Sequence, residues 1–211
     1  MNISPSKENI LKKIRKALSQ STPLPFPKSE GTESVFLPLS QEPEVEFAEQ
    51  FTKLQGRFIF CINQQELAFQ LNSLIRKADW NKVYCIEENL IASVADQLAD
   101  RLVKTDLANC DVAITGCEYL VARTGSVVMT ASQPSGRNTS VYSPVHICIA
   151  FTHQLVYDVK DALQGIKEKY GNNIPSLITF ATGPSRTADI EKTLVVGVHG
   201  PKEVYVFLVE A

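Results

Sequence analysis

Residues 182–191, Thr-Gly-Pro-Ser-Arg-Thr-Ala-Asp-Ile-Glu, form the stretch whose residue types and order most favour chemistry. They follow an apolar, strand-like run and turn at Gly-Pro, after which Ser185 or Thr187 could cap a short helix. A helix N-terminus presents unpaired backbone N–H groups to an anion, and Arg186 could add bidentate donors for a carboxylate or a phosphate. Asp189 could hold Arg186 in place or act as an acid or base. The competing interpretation is a plain capped helix with Arg186 in a surface salt bridge.

A second stretch places a histidine beside a glycine. His199 and Gly200 end an apolar run and are followed by a proline. Open α/β sheets bind ligands at the carboxyl ends of their strands, where His199 could titrate near neutral pH or donate to an anion. A turn histidine bonded to backbone is the simpler alternative. His146 lies within a buried-strand pattern and His153 follows that strand, so both are interpreted as structural.

A third stretch, Thr124-Gly125-Ser126, places two hydroxyls around a glycine that lets backbone approach a ligand closely. The polar loop with Arg137 could close over it, although ordinary turn chemistry explains both features equally well. We predict that Thr124–Ser126, Ser185–Thr187 and His199–Gly200 converge on one crevice that binds a small anion. No GxGxxG, GxxxxGK[ST], GxSxG, HExxH or EF-hand motif occurs in the sequence, so the usual nucleotide, hydrolase and metal arguments do not apply.

Composition excludes several broad classes of protein. The 211 residues carry 21 Lys and Arg against 23 Asp and Glu, and a net charge of -2 lacks the electrostatic footprint of a general nucleic-acid binder. With 44% hydrophobic and 21% charged residues, the chain is expected to be globular. No apolar run approaches the roughly 18 residues of a membrane span. The N-terminus lacks the apolar core of a secretory signal, so we expect a cytoplasmic protein.

The five cysteines are expected to be reduced thiols. Cys61, Cys85 and Cys148 lie in strand-like apolar runs and are predicted to be core residues, whereas Cys110 and Cys117 bracket a strand and could be more accessible. Their spacing matches no familiar zinc or iron–sulfur pattern. We therefore expect no metal and no other cofactor held by the chain itself.

The pattern of elements predicts one α/β domain, residues 44–211, behind an N-terminal arm, residues 1–43. The arm combines a basic amphipathic helix over 4–19 with a proline-rich linker. This helix could bind a membrane surface or nucleic acid, but a solvated arm that docks on protein is the simpler reading. Helices are predicted at 44–54, 63–77, 88–101 and 158–170, a bent strand pair at 119–132, and late strands at 194–200 and 203–210. Alternation predicts one largely parallel sheet, with helices on both faces, from the strands at 57–62, 82–87, 111–115, 146–151 and 176–181.

Four segments together resemble the LUD-domain family, the lactate-utilization proteins of the LutC type. They are LVARTGSVVM (120–129), SGRNTSVYSPVHICIAF (135–151), GPSRTADIE (183–191) and VGVHGPKEVYVFLV (196–209). The resemblance implies a fold similar to the NagB/RpiA/CoA-transferase-like superfamily, a three-layer α/β/α domain around a largely parallel sheet with a ligand crevice at the strand ends. It also implies a non-redox role in oxidising L-lactate to pyruvate, alongside iron–sulfur partner proteins of the LutA and LutB type.

A second class of function stays open from the sequence. The chain could be a stand-alone enzyme resembling its superfamily relatives, such as a CoA transferase, a sugar-phosphate isomerase or a formyltetrahydrofolate cyclo-ligase. A CoA transferase would need a nucleophilic glutamate, and the pocket stretches offer only Asp189 and Glu191. Arg123 departs from the residue many relatives carry before Thr-Gly, and it could reinforce an anion pocket or pair with Glu118.

Overall fold

The structure, a computed structural model, describes residues 5–19, 38–39, 41–190 and 193–210. The chain divides into two compact units, residues 1–38 and 39–211. The first contains helix α1, Pro5–Leu18, which confirms the helix predicted over 4–19. Most of the predicted linker lies outside the described residues. None of the helices in the described ranges is long and apolar enough to cross a membrane.

The second unit contains five helices and twelve strands within its described residues. The helices are α2 Pro43–Lys53, α3 Gln64–Lys77, α4 Glu88–Leu98, α5 Thr139–Tyr142 and α6 Val159–Tyr170. The strands are β1 Arg57–Cys61, β2 Val83–Tyr84, β3 Leu102–Val103, β4 Val112–Thr115, β5 Tyr119–Val121, β6 Ser126–Thr130, β7 Val145–Phe151, β8 Leu155–Val156, β9 Ile178–Ala181, β10 Arg186–Ile190, β11 Thr193–Val196 and β12 Glu203–Val209.

Local signals account for the helix positions. Asn63 caps α3 by accepting a hydrogen bond from the Glu66 backbone N–H at 2.9 Å, and the Glu66 carboxylate accepts from the Ile62 N–H at 2.9 Å. Asp158 caps α6 in the same way, accepting from the Lys160 N–H at 3.2 Å. The predicted helices at 44–54, 63–77, 88–101 and 158–170 are confirmed.

The central sheet is parallel throughout and has the strand order β1-β12-β7-β4-β2-β3. Four of the five strands predicted to share one sheet belong to it, which confirms the α/β class and the largely parallel sheet. Helices α3 and α4 pack on one of its faces around a core that includes Leu71, Leu98, Ile114 and Phe207.

A second sheet, in the order β8-β5-β6-β9, covers the other face. Its strands β5 and β6 form the predicted bent pair, joined by a short 3₁₀ turn at Ala122–Thr124. Helix α6 packs on the outer face of this sheet through Ala162 and Ile166. The layer on this face therefore consists of the second sheet together with α2, whose Phe47 and Phe51 share the core between the sheets, and α6 lies outside it.

The placement of 176–181 in the central sheet was wrong. Strand β9 pairs antiparallel with β6, and Val127 lies opposite Ala181. The strand is only half-buried, with Phe180 exposed, whereas a strand in the middle of a parallel sheet is buried on both faces. The apolar run at 176–181 therefore marks an edge strand of the smaller sheet.

The helix expected after Gly183-Pro184 was also wrong. Residues Arg186–Ile190 form strand β10, which pairs antiparallel with β11, and Thr187 lies opposite Val195. The N–H groups that a helix would leave unpaired thus face a neighbouring strand. Because no helix begins at this segment, it cannot bind an anion through the N–H groups of a helix N-terminus.

All five cysteines are buried free thiols. This confirms the core placement of Cys61, Cys85 and Cys148. The expected accessibility of Cys110 and Cys117 was wrong, because Cys110 packs beside Ser143, and Cys117 lies between the two sheets. Burial raises the pKa of the Cys85 thiol to about 11, which keeps it protonated at neutral pH.

Candidate functional site

Two of the predicted stretches meet in adjacent loops. The Ser185 N–H donates to the Pro201 carbonyl at 2.9 Å, and the Gly197 N–H donates to the Ser185 carbonyl at 2.9 Å. At Gly200, a Cβ would lie 2.9 Å from the Ser185 Cβ, so only glycine allows this close packing of the two loops. Ser185, His199 and Gly200, from two of the three stretches expected to converge, are thus brought to one place.

This place is at the amino ends of the central strands. The loop with His199 leads directly into β12, and the Lys202 N–H donates at 2.8 Å to the carbonyl of Pro144, which precedes β7. The expectation that His199 projects at the carboxyl ends was wrong. A run that ends in His-Gly-Pro looks like a strand end, but that strand, β11, belongs to the hairpin and not to the central sheet.

A cavity of about 250 Å³ lies beneath these loops. Its polar side chains come from both loops, from α5, from β9 and from the second residue of β7. The lining consists of Met129, Ser140, Val141, His146, Thr179, Ala181, Thr182, Gly183, Pro184, Ser185, His199, Gly200, Pro201 and Val204. None of these residues is acidic, and the Ser185 hydroxyl has no hydrogen-bond partner among the described residues.

His146 is the cavity residue that the sequence interpretation missed. Its side chain is buried to 1% exposure, and its Nε2 lies 2.8 Å from Thr115 Oγ1. Burial lowers the pKa of the imidazole from 6.5 to about 4, which leaves the ring neutral at pH 7. A histidine within a buried strand pattern predicts a structural role. Only the position of His146 beside a cavity indicates that it could also contact a ligand.

Thr124 and Ser126 reach the cavity wall through a third hydroxyl. Thr124 Oγ1 lies 2.8 Å from Ser126 Oγ, which lies 2.8 Å from Thr182 Oγ1. Thr182 lines the cavity, whereas Thr124 and Ser126 stand behind it. Gly125 faces away from it, because a Cβ there would lie 2.6 Å from the Phe51 backbone nitrogen of α2. Gly125 therefore permits the close approach of helix α2 and not of a ligand.

The arginines singled out in the sequence each have a protein partner. Arg186 donates through NH2 to the Leu54 carbonyl at the end of α2, and it is not among the residues that line the cavity. Arg123 pairs with Asp158 at 2.7 Å, so the suggested pairing with Glu118 was wrong. Arg137 is exposed and donates to Ser176 Oγ at 2.5 Å. Each is a contact within the protein.

The remaining two candidates lie in the hairpin. Thr187 takes part in the backbone pairing of β10 with β11, away from the described cavity lining. Asp189 belongs to β10 by its backbone, and its side chain lies outside what the structure describes. The cavity thus unites Ser185, His199 and Gly200 with His146, and the other predicted residues support its walls or lie beyond them.

Replacing Arg186 with alanine is expected to lower the free energy of unfolding by about 1.5–3 kcal/mol, because the Leu54 carbonyl loses a charged donor. Urea unfolding of the purified variant measures this loss. Arg137→Ala is the matched control and should cost less than about 0.5 kcal/mol, because that guanidinium is exposed. Equal losses in the two variants would show that the Leu54 contact contributes nothing.

Two glutamates outside the cavity, Glu87 and Glu118, are also buried. Glu87 accepts from the Gly116 N–H at 3.0 Å, just beyond the carboxyl end of β4. Glu118 accepts from Lys169 at 2.7 Å, Tyr170 at 2.6 Å and Thr130 at 2.9 Å. Burial acts to raise the pKa of Glu118, but these donors outweigh it and the pKa is lowered. Both buried carboxylates are therefore occupied by protein contacts.

Among the described residues, no group of three or more His, Cys, Asp or Glu side chains is placed to hold a metal ion.

The chain is similar in sequence to a known protein family and to several curated proteins. The model of the LUD domain family matches residues 45–209. Lactate utilization protein C of Bacillus subtilis is 38% identical over 117 residues, which are 54% of this chain and 48% of that protein. Lactate utilization protein C of Anoxybacillus flavithermus is 34% identical over 156 residues, which are 74% of this chain and 64% of that protein. The chain spans about half the length of most of these curated relatives.

The fold is similar to that of a solved structure. A DUF162 family protein from Deinococcus radiodurans superposes with a TM-score of 0.57 at 19% identity, over 82% of this chain and 99% of that one. This likeness supports the α/β architecture described above.

Proposed function

This chain belongs to the LUD domain family, and we propose that it is a lactate-utilization protein that binds a small carboxylate in the cavity beneath His199. In this proposal it serves a system that oxidises L-lactate to pyruvate together with iron–sulfur partner proteins. In this proposal the chain contributes binding, because its cysteines are dispersed and buried and do not form a ligand set for an iron–sulfur cluster.

The observation that carries the proposal is that the family match encloses the whole cavity. Its described lining runs from Met129 to Val204, inside the matched residues 45–209. Relatives that carry the name lactate utilization protein C support the choice of system.

The chemistry of the lining supports a small anion as ligand. The Ser185 hydroxyl is half-buried and has no hydrogen-bond partner within the described part of the chain, so it can donate to a carboxylate oxygen. His199 stands exposed at the mouth and offers a second polar group. With no acidic side chain in the described lining, no carboxylate there opposes the entry of a negative charge.

The alternative of a stand-alone CoA transferase receives less support from this geometry. Such an enzyme needs a carboxylate that is free to attack its substrate. The buried Glu87 and Glu118 already accept hydrogen bonds from the protein, and neither lines the cavity.

Titration of the purified chain with L-lactate, pyruvate and inorganic phosphate by calorimetry tests the proposal. Ser185→Ala is expected to weaken carboxylate binding about three- to tenfold, the worth of one net hydrogen bond. Ser132→Ala, at an exposed serine outside the lining, should leave the affinity unchanged. Absence of binding by any carboxylate, or equal effects of the two substitutions, would contradict a carboxylate site here.

A further inference from the structure

The hydrogen-bond pattern around His146 specifies which ring nitrogen carries the proton. The Thr115 hydroxyl has one proton and donates it to the Gly116 carbonyl at 2.9 Å, an oxygen that can only accept. Thr115 Oγ1 must then accept the bond from His146, so the proton of the imidazole is on Nε2. This leaves Nδ1 as an unprotonated acceptor.

Nδ1 faces the cavity. Nε2 is held by Thr115, and Nδ1 has no hydrogen-bond partner among the described residues. No described buried side-chain nitrogen or oxygen is both sealed from solvent and unpaired, so Nδ1 must have access to open space. His146 is 1% exposed and lines the cavity, which is the open space next to it. An acceptor that has no donor among the described residues therefore lies beside the proposed ligand site.

We propose that His146 selects a 2-hydroxycarboxylate over the corresponding 2-oxocarboxylate by accepting a hydrogen bond from the ligand hydroxyl at Nδ1. This inference rests on the proposed function, since it assigns the substrate class of the same cavity. A hydroxyl can donate to the lone pair, whereas a ketone oxygen is itself an acceptor and meets it with repulsion. A ligand with neither group leaves the buried lone pair unpaired.

Two features keep the nitrogen in this role at neutral pH. The ring stays unprotonated, because burial lowers its pKa to about 4. Thr115 holds the tautomer by accepting from Nε2, so it is a positioning residue rather than a ligand contact. Together, the neutral ring and the fixed tautomer allow the cavity to recognise the hydroxyl group that lactate has and pyruvate lacks.

Calorimetric titration at pH 7 with L-lactate, pyruvate and propionate, three carboxylates of one chain length, tests the inference. The unmodified chain should bind L-lactate about ten- to a hundredfold more tightly than the other two. His146→Phe should bring the three affinities within about threefold of one another. Thr115→Val should narrow the lactate preference while leaving the affinity for propionate unchanged, which a merely structural role would not do.

The outcomes separate the two proposals. Equal affinities in the unmodified chain, or a preference for pyruvate, would overturn the role of His146 and leave a carboxylate site in place. Failure of all three carboxylates to bind would overturn the proposed function itself and the inference with it. Nitrogen NMR of the unmodified chain gives a measurement that needs no variant: the inference requires a protonated Nε2 and an unprotonated Nδ1 whose resonance shifts when L-lactate is added. A protonated Nδ1 would refute it.

Discussion

Replacement of Gly125 by alanine is expected to lower the free energy of unfolding by about 3 kcal/mol. Gly125 has φ of +60°, a left-handed conformation that costs an L-residue roughly 1–2 kcal/mol. The added Cβ would also lie 2.6 Å from the Phe51 backbone nitrogen, which must move. Overpacking of this kind costs about 1–3 kcal/mol. Urea unfolding gives the difference directly.

Gly136 supplies a matched control for the backbone effect. Its φ is +64°, nearly the same conformation, but a Cβ there would meet nothing within 4 Å. Gly136→Ala should therefore cost only the conformational term, about 1–2 kcal/mol. If the two alanine variants lose equal stability, the packing of α2 on the turn is not what requires glycine at position 125.

The second large effect is a loss of stability in acid that arises from His146. Its pKa is lowered in the folded state to about 4, so between pH 6.5 and 4 the unfolded chain binds a proton that the folded chain does not. Unfolding is therefore favoured as the pH falls, and the cost reaches about 3 kcal/mol at pH 4. Above pH 6.5 both states are neutral at this residue and the contribution vanishes.

Comparison with His146→Gln isolates this contribution. Between pH 7 and pH 4 the unmodified protein should lose about 3 kcal/mol more than the variant, measured by urea unfolding at each pH. Glu118, whose lowered pKa places its own loss of stability at more acid pH, is present in both proteins and cancels. Thr115→Val keeps the buried ring and should keep the pH dependence. Parallel stability curves for the unmodified protein and His146→Gln would contradict the burial argument.

Much of the local structure was predictable, and the cap residues show why. Asn63 and Asp158 begin α3 and α6 through hydrogen bonds to residues two or three positions away. The buried strands β4 and β7 are predicted by short apolar runs in the sequence. The structure brings Ser185 together with His199 and Gly200, but at the amino ends of the central strands and not at the carboxyl ends that the sequence led us to expect.

The prediction failed wherever a distant segment supplied the partner. Arg186–Ile190 could begin a helix, but Thr193–Val196 pairs with it and makes it a strand. The apolar run at Ile178–Ala181 is compatible with a strand in either sheet, and in the structure it pairs with β6 in the smaller sheet. Arg186 looked like a ligand for an anion because its actual acceptor, the Leu54 carbonyl, is 132 positions away in the chain.

The sequence by itself determined the kinds and order of most elements and the residues that start the helices, because those choices depend on side-chain periodicity and on hydrogen bonds that close within a few residues. The tertiary structure alone decided which sheet each late strand joins, that the cavity lies at the amino ends of the strands, and that the buried His146 lines it. Such choices depend on backbone groups and hydroxyls contributed by segments far apart in the chain, whose proximity only the packed fold creates.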